Sequence, residues 1–378
     1  MIKKMFLDAI KKPTLLVDLH KASANIAVMS AKAAQNRVVL RPHFKTHQST
    51  RIAELYRDAG VSAITVSSVE MAQYFAAAGW HDILIAFPLN WREVDAVNDL
   101  AARIDLSVLV DCPESVDFLA AHACHAVGVW IKVDTGLHRA GIWWQEMQAI
   151  KTVAEKVIQS PNLHWKGILT HAGQTYRASS PEGVKERAFA SKQAMLAVKQ
   201  YLLDQGLENI LISIGDTPGC RLLADFAGVD EIRPGNFIFF DLEQWQLGAC
   251  RSEEIAVAVA CPIVSKNRIR SELVIYGGAI HFAKETLQYK GRTIYGLVAG
   301  TPDEPFSEIQ PDCILINATQ EHGIIELPPS IFSQYQIGDV ITIFPVHACL
   351  TVQAIGEYTD IHSGILIPTM VTKRNGCL

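Results

Sequence analysis

Along the first two-thirds of the chain, short runs of apolar residues alternate with longer stretches of mixed polarity. The runs are VVLRP (38–42), AITVS (63–67), ILIAF (83–87), LSVLV (106–110), VGVWIKV (127–133), WKGIL (165–169), ILISI (210–214) and IRPGNFIFF (232–240). Most are apolar at nearly every position, which suits strands covered on both faces, as in a parallel sheet. Helical patterns lie between them. SVEMAQYFAAAG (68–79) predicts a helix with Ser68 as N-cap and Gly79 as its stop. The stretch from Ser180 to Gly206 predicts another, with Ser180 as N-cap and Pro181 in the first turn. Eight such strand–helix units predict a (β/α)8 barrel of the TIM type. A doubly wound sheet shares the alternation and is the alternative.

After about residue 246 the pattern changes. EIAVAVACPIVSK, SELVIYGGAI, CILINATQEHGII and DVITIFPVHACLTVQAIGEYTD read as strands broken by Gly, Pro and Asn, with little helix between them. They predict a separate β domain, which the early strand PTLLVDL joins. The expected division is residues 20–245 for the barrel and 1–19 with 246–378 for the β domain.

Composition narrows the class. The 378 residues are 49% hydrophobic, enough for large cores, and the net charge is −5. That balance points to neither nucleic-acid nor membrane partners. Asp8 and the pair Lys11 and Lys12 interrupt any apolar leader, and no apolar run reaches membrane-spanning length. The expectation is a soluble, cytoplasmic protein. Eight cysteines are scattered without a CxxC pair and read as reduced thiols.

Candidate chemistry sits where barrel strands end. RPHFKTHQS (41–49) brings Arg41, His43, Lys45 and His47 together after the first predicted strand. A lysine there can attack an aldehyde cofactor if its surroundings favour the free amine, and Arg41 and His43 are candidates for setting that. His43 and His47 otherwise read as loop-solvating residues. VDTGLHRAG (133–141) supplies Asp134 and Arg139, and THAGQTY (170–176) supplies His171, Gln174 and Tyr176. GDTPG (215–219) and RPGN (233–236) follow the seventh and eighth strands, where barrels often hold a phosphate on backbone N–H groups. PVHACL places His347 and Cys349 two apart in a predicted strand, so both face one way. Imidazole and thiolate suit Zn2+, and two ligands leave positions open for substrate or water. EHG (321–323) reads as a turn or as a supporting partner of that metal.

These motifs occur together in the order found in D-serine dehydratases and D-threonine aldolases, and the chain resembles that family over nearly its whole length. The resemblance implies a barrel of the alanine-racemase fold type, a C-terminal β domain, pyridoxal phosphate (PLP) and a metal. It implies that Lys45 carries the cofactor, that Arg139 meets its phenolic oxygen and that Tyr176 meets its pyridine nitrogen. Arg233, in an RPG motif, is the rival for the last role. Thr217, Gly235 and Asn236 match phosphate contacts, and His347 and Cys349 match the metal pair, with Zn2+ preferred over Mn2+ or Mg2+. The implied activity is a lyase on β-hydroxy-D-amino acids, D-serine dehydration first, with D-threonine or 3-hydroxy-D-amino-acid aldol cleavage as the alternative. A racemase is a further alternative. It needs a second base, for which Tyr276, Tyr289, Tyr295 and Tyr358 are the candidates. A homodimer is implied by the resemblance alone.

Overall fold

The computed structural model describes residue 7, residues 9–302 and residues 304–375. Asp8, read above as interrupting any apolar leader, and Cys377 therefore lie outside the described residues. The chain forms two compact units, one of residues 27–45 and 53–235, the other of 1–26, 46–52 and 236–378.

The first unit is a parallel barrel. Its strands are Val39–Leu40, Ala63–Val66, Asp82–Pro88, Asp105–Val110, Val127–Asp134, Leu163–Leu169, Leu211–Ile214 and Glu231–Ile232. They form one eight-membered path that starts at the second strand, follows chain order through the eighth and ends on the first. A parallel bridge from His43 to Thr65 joins the first strand to the second and closes the ring. Leu84, Leu109, Trp130 and Leu169, one from each of four successive strands, form a buried cluster with Ala86 packed against it. Such stacked side chains make the barrel a filled core. The two helices singled out in the sequence run Val69–Ala76 and Pro181–Asp204. Ser68 and Ser180 cap them through their hydroxyl oxygens, which accept from Met71 N and Gly183 N.

The first and eighth strands are shorter than their apolar runs predict. Proline follows each at one remove, Pro42 and Pro234, and a proline has no N–H for the ladder. The run 232–240 leaves the sheet after Ile232 and turns through a short 3-10 segment, Asn236–Ile238.

The second unit is built on a sheet of nine strands. Six of them, Glu272–Tyr276, His322–Glu326, Pro305–Ala318, Gly296–Gly300, Val340–Pro345 and Val257–Asn267, close on themselves because Val257–Asn267 also pairs with Glu272–Tyr276. Thr14–Val17 extends the sheet antiparallel to Val257–Asn267. Glu357–Asp360 then pairs parallel to Thr14–Val17, and Leu366–Pro368 completes the edge. The unit holds more helix than its sequence suggests, notably Ala348–Ile355. No helix among the described residues is long and apolar enough to cross a membrane.

Candidate functional site

Two groups of residues carry chemistry, one in each unit. In the barrel unit, the segment after the first strand is folded by its own hydrogen bonds. His43 N donates to Pro234 O, and Phe44 N donates to Thr65 O, both at 2.9 Å. Phe44 is fully buried against Tyr56, Phe75 and Trp80, with ring centroids 4.9–5.0 Å away. Arg41 is not a partner for Lys45. Its guanidinium holds Asp82 at 2.5 Å and Glu231 at 2.8 Å, tying the first strand to the third and eighth. His47 is wholly buried, against the expectation that it solvates a loop, and its Nδ1 accepts from Ser49 N at 3.2 Å. Burial takes its imidazole down to about 3.

His43 and His171 share one electrostatic neighbourhood with four cations. Burial, then charge from Lys45, Arg233 and Arg139, holds His43 well below the usual imidazole range. Burial, then Lys45, Arg139 and Lys132, does the same for His171. Both rings are neutral, and their tautomers follow from their partners. His43 Nδ1 accepts from Lys45 N at 3.3 Å, so its proton is on Nε2. His171 Nδ1 lies 2.8 Å from Gly215 O, a pure acceptor, so Nδ1 carries the proton.

Lys132 is a group that the sequence reading did not single out. It lies two residues beyond Trp130 on the same strand and so shares that face. Burial, then Arg233 and Arg139, brings its amine down to about 7. Arg139 is exposed and forms no ion pair among the described residues. Its loop is shaped by Asp134, whose Oδ1 accepts from the backbone N–H groups of Gly136, Leu137 and His138 at 2.9–3.1 Å. Asp134 is thus a loop former. Arg233 is buried, its Nε donating to Ser213 Oγ at 2.6 Å and its Nη2 to Thr170 O.

The segment after the seventh strand forms a cradle. Asp216 caps the short helix Thr217–Leu222, and its Oδ1 accepts from Gly219 N and, at 2.9 Å, from Thr175 Oγ1. Burial raises the Asp216 carboxyl to about 6. A Cβ on Gly215 would meet Arg233 Cβ at 2.9 Å and Arg233 O at 3.0 Å, so only glycine fits without displacing that backbone. Thr217 Oγ1 is buried and makes no hydrogen bond among the described residues. Thr217 N donates to Tyr176 Oη at 3.4 Å, which brings the phenol of the 3-10 segment Gly173–Arg177 to the cradle. Gly235 is buried. Asn236 follows it, donating through Nδ2 to Asp241 while its buried Oδ1 has no partner among the described residues. An orphaned buried hydroxyl and a cluster of cations suit an anionic, phosphate-bearing cofactor.

In the second unit, His347 and Cys349 do come together, but not on a strand. The strand Val340–Pro345 ends before them. His347 is the extended N-cap residue of the helix Ala348–Ile355, and Cys349 lies in its first turn. His347 Nδ1 is 3.4 Å from Glu243 Oε2 and 3.7 Å from Asp241 Oδ2. Carboxylates on Nδ1 fix the tautomer that leaves Nε2 for a metal. Burial works against protonation of His347, but Cys349, Glu243 and Asp241 together carry it well above the usual imidazole range. Cys349 Sγ lies 3.2 Å from Thr46 Oγ1. The donor set fits a thiophilic divalent cation. EHG does lie at a turn: Glu321 falls in the bend between the antiparallel strands Pro305–Ala318 and His322–Glu326, where a Cβ on Gly323 would meet Gly277 O at 2.5 Å. The partners that sequence reading missed are Asp241 and Glu243, which stand in the chain just after FIFF.

Comparison with known proteins decides the family. Residues 17–243 match the alanine racemase N-terminal domain. The chain belongs to that family. Residues 256–361 of this alanine-racemase-type chain match a serine dehydratase domain. The D-threo-3-hydroxyaspartate dehydratase of a Delftia strain is 29% identical over 90% of this chain and 91% of its own. Its solved structure covers 96% of this chain and 98% of its own, with a TM-score of 0.89. A structure of that enzyme with a cysteine changed to alanine is in the metal-free form, and in a separate structure a histidine two positions earlier is changed to alanine. The D-serine dehydratase of Dictyostelium discoideum is 27% identical over 94% of this chain and 95% of its own. The 3-hydroxy-D-aspartate aldolase of Paracoccus denitrificans is 24% identical over 94% of this chain and 89% of its own.

Proposed function

We propose that the chain is a PLP- and zinc-dependent lyase of the D-serine dehydratase type, converting D-serine to pyruvate and ammonia. The broader class, a lyase of D-amino acids on the alanine-racemase fold, rests on relatives that span nearly the whole chain. One observation carries the finer reading. A cationic, phosphate-ready barrel end occurs in the same chain as a His-x-Cys pair, spaced like the two residues changed in the Delftia dehydratase.

When bound, PLP would delocalise negative charge arising at the substrate Cα, and zinc would act as a Lewis acid at the β-oxygen. Lys45 would hold the cofactor and move the α-proton. Arg139, without a carboxylate partner, is the group for the phenolic oxygen. Tyr176 is our choice for the pyridine nitrogen, because Arg233 already commits Nε to Ser213 and Nη2 to Thr170. Thr217, Gly235 and the residue bonded to it, Asn236, would take the phosphate. His347 through Nε2 and Cys349 through Sγ would hold the metal, and a thiolate ligand favours zinc over Mn2+ or Mg2+.

Aldol cleavage of D-threonine or a 3-hydroxy-D-amino acid is the second reading, favoured by the aldolase relative. Racemisation is less well supported. Tyr358 is fully buried, with its hydroxyl donating to His47 O at 2.7 Å, so it is committed as a structural group. Incubation with D-serine, D-threonine and D-3-hydroxyaspartate, followed by product identification, tests the proposal. Pyruvate and ammonia from D-serine support it. Glycine from the β-substituted substrates, with D-serine inert, would replace it with the aldolase.

A further inference from the structure

We propose a second metal site, made by Asp18, His20 and His362, that takes a borderline divalent cation such as Zn2+ or Co2+ and staples two strand ends of the second unit. The strands Thr14–Val17 and Glu357–Asp360 run parallel, with Val17 opposite Asp360. Each leads into an Asp-x-His sequence, Asp18-Leu19-His20 and Asp360-Ile361-His362. Ile361 N donates to Val17 O at 3.0 Å, which holds the two exits side by side.

The three side chains are arranged as ligands. One ligand atom from each lies within 4.8 Å of the other two. Tetrahedral zinc, with bonds of about 2.0–2.1 Å, sets its ligand atoms roughly 3.3 Å apart, so ring rotation closes the difference. Asp18 is buried and oriented, since its Oδ1 accepts from His20 N at 2.9 Å and Lys21 N at 3.1 Å. His362 Nε2 lies 3.1 Å from that same oxygen. The His20 ring stacks on His362 at 4.1 Å and makes no hydrogen bond among the described residues. The Lys21 amine donates to Ile255 O at 3.3 Å and also feels the Asp18 charge.

The rings are exposed, so water would complete the coordination. Asp18 and His362 are 344 residues apart in sequence, and a shared ion would close that long loop. Two neutral imidazoles and a carboxylate contain no thiolate, which separates this site spectroscopically from His347 and Cys349.

The test is Co2+ titration of the His347→Ala/Cys349→Ala protein, its fold checked by circular dichroism. We expect one equivalent of Co2+ per chain with visible bands and no thiolate charge-transfer band, and its loss on adding His20→Gln and His362→Gln. In an otherwise wild-type chain, His20→Gln/His362→Gln should lower tightly held zinc by one per chain and leave lyase turnover unchanged. A folded double-alanine protein that takes up no Co2+ would overturn the proposal. So would zinc content indifferent to the two histidines, which can be read even if the double-alanine protein does not fold. Failure of the His347 and Cys349 reading would show separately, as absence of the thiolate band in the wild type.

Discussion

The hydroxyl of Thr46 lies 3.2 Å from the sulfur of Cys349, and the residue bonded to Thr46 on its N-terminal side is Lys45. The chain therefore passes directly from the proposed cofactor lysine to a partner of the proposed metal ligand. Groups that hydrogen-bond a ligand orient it and tune its affinity, and their loss typically weakens metal binding about 10- to 100-fold. Thr46→Val should raise the zinc Kd by about that factor, read by competition with a chromophoric chelator. An unchanged Kd would show that the contact does not serve the metal.

Removal of the metal should separate function from fold. The second unit packs a core of strands that includes Val257, Val259, Leu273, Ile275, Leu315, Ile325 and Ile343, all buried, and needs no ion to do so. Exhaustive chelation should abolish lyase activity while the circular dichroism of the holoenzyme stays the same, and zinc should restore turnover. Activity that survives with no metal detected would remove zinc from the account.

Thr217 offers a direct probe of the phosphate cradle. Its buried hydroxyl has no partner among the described residues, and a buried polar group without one costs about 1–3 kcal/mol. Thr217→Val should weaken PLP by a comparable amount, a Kd increase of roughly 5- to 150-fold in a PLP titration. Equal titration curves would place the phosphate elsewhere.

How much of this was legible beforehand depends on where each hydrogen bond ends. Runs such as VGVWIKV read as buried strands because each strand needs apolar cover on both faces, a local property. The serine caps Ser68 and Ser180 read correctly for the same reason, since donor and acceptor lie within three residues. The helix at Ala348 did not, because its cap is not local. His347 makes no side-chain cap bond, and Ala348 N donates to Asp241 Oδ2, 107 residues away. Without that carboxylate in view, VITIFPVHACL reads as one long strand. The burial of His47 and the depressed amine of Lys132 are likewise products of tertiary packing, and no pattern in their own segments announces them.

His47 gives a pH prediction. Its folded-state value, about 3, lies below the 6.5 of the unfolded chain. The neutral buried ring therefore contributes stability that is fully present above pH 6.5 and is lost as pH falls below it. Between pH 7.5 and pH 5 this term drops by about 2 kcal/mol. The substitution His47→Asn keeps a side-chain acceptor for Ser49 N and has no proton to gain. The stability gap between wild type and His47→Asn, from denaturant unfolding, should narrow by about 2 kcal/mol over that range. A gap independent of pH would mean that His47 takes up a proton as readily in the folded protein as in the unfolded chain, and would contradict the prediction.

The most direct test of the central claim is to find which lysine holds PLP. Two are in contention at this barrel end, Lys45 by its place after the first strand and Lys132 by an amine brought down to about 7. Holoenzyme reduced with borohydride and digested should yield the phosphopyridoxyl group on the peptide carrying Lys45, and Lys45→Ala should lose both the adduct and nearly all lyase activity. A phosphopyridoxyl group found on Lys132 instead would contradict the account.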